Sequence, residues 1–111
     1  MAQVYLCGPI TGLPDNNKPA FLDAQRKLVA IGFTVFNPHN LCEDIVANHH
    51  GTSEELWQAC MKRDIPWMLK CDLVILLPGW SVSRGASIER ALAQQVGIPT
   101  VLLDEYISTH Q

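Results

Sequence analysis

Four short apolar runs, each separated from the next by a segment of helical periodicity, constrain this chain more than anything else in it. The runs are Gln3–Cys7, Thr34–Phe36, Asp72–Leu77 and Thr100–Leu103. None shows sustained polar–apolar alternation, which is how strands covered on both faces of a parallel sheet read. Between the first two runs, Phe21, Ala24, Leu28 and Ile31 fall on one face of a helix expected over Pro19–Ile31. Asn17 is its expected cap and Gly32 its stop. A second helix is expected over Glu54–Leu69, preceded by Thr52 and Ser53, with Pro66 breaking or kinking it. A third is expected over Ala86–Val96, ending at Gly97 with Pro99 just beyond. The order β-α-β-α-β-α-β implies an α/β fold: a small doubly wound, Rossmann- or flavodoxin-like parallel sheet of four to five strands flanked by helices.

Composition narrows the partners. The chain of 111 residues reads as one domain, 1–111, and at 48% hydrophobic and 17% charged residues it can bury a core without staples. A net charge of −3 and the lack of any Lys/Arg cluster argue against nucleic acid or an anionic membrane as partner. The first residues carry no basic leader, and no apolar stretch reaches the length of a membrane span, so the expected location is the cytoplasm. Cys7, Cys42, Cys60 and Cys71 show no CxxC spacing and read as small core residues in a reducing compartment. His39, Cys42, His49 and His50 have the ligand types for zinc but match no established spacing, so no metal and no cofactor are expected.

Three turns follow strands and should therefore converge on one cleft at the carboxyl edge of the sheet: Gly8–Asn17, Asn37–Gly51 and Pro78–Gly85. The third is the most informative. Gly85 lets backbone approach a ligand closely, and the helix start after Ser83 offers free N–H groups to an anion or a sugar hydroxyl. Glu89, read as lying in the first helical turn, would be kept ionised by the helix dipole and becomes a candidate nucleophile. An acid there also has a purely structural explanation, since it complements the dipole. The capping-box version of that explanation is weakened by Ala86, where Ser or Thr would be needed.

Chemistry needs a second group, and Asp64 supplies it. Trp57, Cys60, Met61 and Asp64 stand at i, i+3, i+4 and i+7, a stripe that is apolar except for the carboxylate. A carboxylate on a buried stripe destabilises the fold unless paired, and such positions are often functional. Its structural alternative is to cap a short turn restarting at Ile65–Pro66. Tyr5 lies in the first strand, in phase with Cys7, and Trp80 at the lip of the third loop is placed to stack on a planar ring. Asp72 either begins the third strand or ends the preceding helix.

Taken in order, Tyr5-Leu-Cys-Gly-Pro-Ile-Thr-Gly12, Arg63-Asp-Ile-Pro-Trp-Met-Leu-Lys-Cys-Asp-Leu-Val-Ile75 and Ser83-x-Gly85-x-x-x-Glu89 resemble the nucleoside 2-deoxyribosyltransferase superfamily, which includes the deoxynucleoside 5′-monophosphate N-glycosidases. In length and in the Gly8–Gly12 start the chain is similar to the small DUF4406-type phage and bacterial proteins. The resemblance covers nearly the whole chain and implies N-glycosidic bond cleavage or base exchange on a (deoxy)nucleoside or (deoxy)nucleotide. It assigns Glu89 as nucleophile, Asp64 to the proton on the nucleobase side and Tyr5 to orienting the nucleophile. Gly8, Pro9, Ile10, Ser83, Arg84 and Gly85 would bind substrate. The monophosphate glycosidases carry serine and arginine where this chain has Pro9 and Thr11, which removes phosphate partners that Arg84 would have to replace.

The resemblance also implies a homodimer or larger homo-oligomer, and Trp57, Trp67 and Met68 are candidate exposed residues for the contact. In the transferases the neighbouring subunit helps complete the site, whereas this chain is expected to end soon after its last strand. Two further readings stand beside the enzyme: a non-catalytic nucleotide-binding module or sensor, and a protein-interaction domain whose cleft is filled by its own side chains.

Overall fold

The computed structural model of the protein describes residues 2–110; the two ends of the domain expected over 1–111 lie outside the described residues. Four strands, β1 (Gln3–Cys7), β2 (Thr34–Phe36), β3 (Leu73–Leu76) and β4 (Thr100–Leu102), form one parallel sheet in the order β2-β1-β3-β4. The chain winds outward one way from β1 to β2 and the other way from β3 to β4. The switch point of this doubly wound sheet therefore lies between β1 and β3, where Tyr5 pairs with Val74 and Cys7 with Leu76.

Strand alternation sorts the core into two layers. Val4, Leu6, Ile75 and Leu77 pack against Phe21, Ala24 and Leu28 of α1 (Lys18–Ile31), together with Leu103, Tyr106 and Ile107 of α6 (Leu103–His110). Tyr5, Cys7, Val74 and Leu76 face the opposite layer, with Met68 of α4 (Ser53–Met68) and Ala86 and Ala93 of α5 (Arg84–Gln95). Helices thus flank both faces. Any polar group carried by Tyr5, Cys7, α4 or α5 on this second face meets the others in a dry layer.

Several local expectations are corrected. Asn17 does not cap α1: it sits at φ 61 and its side chain donates to Pro9 O at 2.9 Å, tying the first loop to the helix start. The Asn37–Gly51 segment is not an open loop but holds α2 (Pro38–Leu41) and α3 (Glu43–Asn48), with Asn37 capping α2 through His39 N at 3.0 Å. Pro66 does not stop α4, which runs on through it to Met68. The start of α4 is a full capping box, Thr52 and Glu55 each accepting from the other's backbone N–H at 3.1 and 3.0 Å. Asp72 does neither of its expected jobs: its carboxylate accepts from Gln3 N at 2.9 Å, stitching the entry to β3 onto β1. Helix α6 follows β4 directly and was not foreseen. Gly32 does end α1, at φ 117, and Gly97, at φ 81, lies two residues past α5. Among the described residues no helix is long and apolar enough to cross a membrane.

Candidate active site

The carboxyl edge of β1 is where the chemistry gathers. Tyr5 is fully buried, and its hydroxyl donates to Glu89 Oε2 at 2.6 Å. Cys7, two residues on and so on the same face, donates its thiol to Ala86 O at 3.3 Å and lies 3.6 Å from Glu89 Oε1. Ala86, Glu89 and Ala93 form the buried stripe of α5, which is why Glu89 points at the sheet. On α4 the buried residues are Asp64 and Met68, one turn apart. Cys42, at the junction of α2 and α3, donates its thiol to Asp64 Oδ1 at 3.1 Å. Each acid thus holds one thiol donor, and Tyr5 feels the charge of both.

Electrostatics follow from burial. Glu89 and Asp64 are each 5% exposed. Desolvation pushes Glu89 up to about 8; the Tyr5 and Cys7 hydrogen bonds oppose this and the Asp64 charge reinforces it. Desolvation likewise pushes Asp64 up to about 6, opposed by the Cys42 thiol, Arg63 and Tyr5. Burial first, and then the neighbouring carboxylates, raise Tyr5, Cys7 and Cys42, so all three stay protonated and act as donors. Near neutral pH the two acids therefore share about one proton, and their titrations belong to the pair.

That outcome corrects the expected charge state of Glu89. The residue lies in the second turn of α5, whose first turn has no acid, so the dipole explanation for it falls and so does dipole-assisted ionisation. The capping explanation for Asp64 falls as well, since it sits inside a continuous helix.

The remaining expected site residues are dispersed. Ser83 caps α5, accepting from Ala86 N at 3.3 Å. Arg84 turns outward, paired with Glu54 at 2.7 Å and stacked 3.6 Å over the Trp57 ring, so it is not directed at the acids. The space over Gly85 is taken by α4: a Cβ there would lie 3.3 Å from Met61 Sδ and 3.4 Å from Trp57 Nε1. Gly8 is required where the β1 and β3 ends converge, as a Cβ would stand 2.8 Å from Leu77 Cβ. Pro9 abuts Gly79, and Ile10 packs into the α1 layer, away from the carboxylates.

Against the expectation of one open cleft flanked by both acids, Glu89 and Asp64 are each almost closed off from solvent. A hollow of about 190 Å³ at the end of β2 is lined by Lys18, Leu22, Asn37, His39, Asn40 and Glu43, and another of about 170 Å³ by residues of β3, β4 and α6. Neither is lined by Glu89 or Asp64, and Trp57 and Met61 fill the space above Gly85. Trp80 has Arg90 5.1 Å over its ring, and Met68 is fully buried rather than exposed. Trp57 is half-buried beneath Arg84, and Trp67, 37% exposed, stacks on Phe36. Among the described residues no group of three or more His, Cys, Asp or Glu side chains could hold a metal ion.

The Cys7 and Cys42 contacts were missed in the sequence, where both thiols read as plain core. Cys7 had a signal, its strand phase with Tyr5; Cys42 had none, standing 22 residues from Asp64 on another element.

Comparison with known proteins adds to this geometry. The family described as "Domain of unknown function (DUF4406)" matches residues 2–102. The chain belongs to this family. Among curated proteins none matches this DUF4406 chain. Among solved structures it is similar to the 2-deoxyribosyltransferase of the psychrotolerant bacterium Bacillus psychrosaccharolyticus, at a TM-score of 0.70 and 22% identity, over 91% of this chain and 71% of the other. The DUF4406 chain therefore shares the α/β fold of that transferase.

Proposed function

We propose that the protein cleaves, or exchanges the base of, an N-glycosidic bond in a (deoxy)nucleoside or (deoxy)nucleotide, with Glu89 as nucleophile and Asp64 as acid. The observation that carries this reading is the buried pair of acids beside the Tyr5 hydroxyl, 2.6 Å from Glu89, at the switch point of a sheet with a 2-deoxyribosyltransferase fold. The shared proton suits the reaction. As the bond to the base stretches, positive charge grows on the sugar and favours the ionised form of Glu89. Glu89 then bonds to the anomeric carbon, the electron pair of the broken C–N bond stays on the base, and the proton passes through Asp64 to the leaving nitrogen. Water or a second base attacks the glycosyl-enzyme and releases Glu89. Tyr5 orients the Glu89 carboxylate. The chain works as one nucleoside 2-deoxyribosyltransferase-like domain, cytoplasmic and homo-oligomeric, and without a cofactor.

The test is a panel of deoxynucleosides and their 5′-monophosphates, with and without free base. Release or exchange of base is expected, along with a sugar adduct on Glu89 from a 2-fluorinated analogue. No release across the panel, or full turnover by Glu89→Ala, refutes the reading. A second reading, a non-catalytic nucleotide-binding module, is favoured by the separation of the hollow near 190 Å³ from the acids. Calorimetry that recovers a tightly bound nucleotide intact would select it.

A further inference from the structure

The shortest thiol contact among the described residues is on Asp64. Cys42 Sγ lies 3.1 Å from Asp64 Oδ1, against 3.3 Å for Cys7 on Ala86 O and 3.4 Å for Cys71 on Trp67 O. The alternative acceptor for Cys42, Cys60 O, is more distant at 3.6 Å. Cys42 is 4% exposed, so water does not compete for the bond. Its position is clamped from both sides. Arg63 donates to Leu41 O at 3.0 Å and to both Asp44 oxygens at 2.8 and 3.2 Å, and Arg63 is the residue just before Asp64. The segment that presents the thiol and the helix that presents the acid are therefore joined one residue away from the contact.

We propose that Cys42 is a positioning residue for Asp64: its thiol, donated to Oδ1, fixes the carboxyl group and leaves Oδ2 as the oxygen that carries the acid proton. A carboxylic acid bears its proton on one oxygen and accepts best at the other, so a donor held on Oδ1 selects the protonation site. The thiol stays protonated in its buried setting, so it donates throughout the working range. The groups that face Asp64 are Tyr5 from β1, Cys42 from the α2–α3 junction, Cys60 and Arg63 from α4, and Glu89 from α5. Of these, Cys42 donates to Asp64 Oδ1 at 3.1 Å, while the Tyr5 hydroxyl is held on Glu89 Oε2 at 2.6 Å. This inference rests on the glycosidic reading for its catalytic consequence, but the hydrogen bond itself can be tested without turnover.

The experiment compares the full chain with Cys42→Ala and Cys42→Ser. The Asp64 carboxyl is followed by carbon-13 NMR titration, and kcat and KM for base release are measured against pH. Loss of the donor removes a bond to the ionised form, so Cys42→Ala raises the Asp64 titration above about 6, by about half a unit to one unit. Cys42→Ser restores the donor and brings the titration back to within about 0.3 unit of the parent. The limb of the kcat profile assigned to Asp64 moves with the NMR value. In Cys42→Ala, kcat falls roughly tenfold while KM changes less than about twofold, the pattern for a group acting on the chemical step. An unchanged titration in Cys42→Ala, or identical shifts in the alanine and serine variants, overturns the proposal. If the parent protein releases no base, the glycosidic reading fails, and the titration still decides whether Cys42 governs Asp64.

Discussion

Replacing Glu89 with glutamine separates what the fold requires from what the chemistry requires. Glutamine keeps the volume and an oxygen to accept from Tyr5, and it removes the ionisable group. Glu89 titrates near its ordinary 4.5 in the unfolded chain and at about 8 in the buried site. Its folded value is raised, so between these limits the unfolded state gives up its proton first, and the native state loses stability as pH rises through about 8. At ~1.4 kcal/mol per unit, the full interval is about 5 kcal/mol. Below the unfolded value Glu89 is neutral in both states, and the variant and parent should be nearly equal in stability. Urea unfolding at pH 5, 7 and 9 is the assay. The expected advantage of Glu89→Gln is under about 1, about 3 and about 5 kcal/mol in turn, with the neighbouring Asp64 titration blurring the middle value. A gap that stays flat across that range refutes the buried-acid argument. The same variant should lose base release by about a thousandfold or more, because an amide cannot trap the glycosyl group. A protein made more stable and inactive by one isosteric change is the expected signature of a buried reactive acid.

Three further outcomes follow. The pH profile of kcat/KM should be a bell with limbs near 6 and 8, belonging to the Asp64–Glu89 pair, and Asp64→Asn should abolish the bell; a flat profile from pH 5 to 9 contradicts the shared proton. Gly8→Ala should cost about 1–3 kcal/mol by denaturant titration, because its Cβ would meet Leu77 Cβ at 2.8 Å between two strand ends that cannot part; an unchanged midpoint contradicts the packing. Thr52→Ala should cost about 1 kcal/mol with turnover unaffected, since it breaks the capping box of α4 at an exposed end; loss of activity without loss of stability would show that the cap does more than hold the helix.

Much of the scaffold could be read before any coordinates. Strands and helices with strong local punctuation, such as α1 ending at Gly32, announce themselves because the physical cause is local: a glycine at φ 117 and an apolar stripe of period 3.6. Elements were missed where the local signal was polar or short. Pro38, His39 and Asn40 look like loop residues, yet Asn37 caps them into α2. Helix α6 starts with no break after β4. Glu89 and Asp64 are legible as acids on helical stripes, and both stripes are buried, whereas Ser83 caps α5 and Arg84 and Gly85 face α4 rather than a ligand.

Sequence alone determined the layered α/β plan and the two acids that stand on buried helical stripes, since periodicity and spacing are properties of neighbouring residues. Only the tertiary structure decided the condition of those acids. The Tyr5 hydroxyl comes to Glu89 across 84 positions and the Cys42 thiol to Asp64 across 22. Desolvation by burial, rather than the helix dipole, sets where Glu89 holds its proton. That energy depends on which atoms exclude water from the carboxylate, and no window of the chain contains them all.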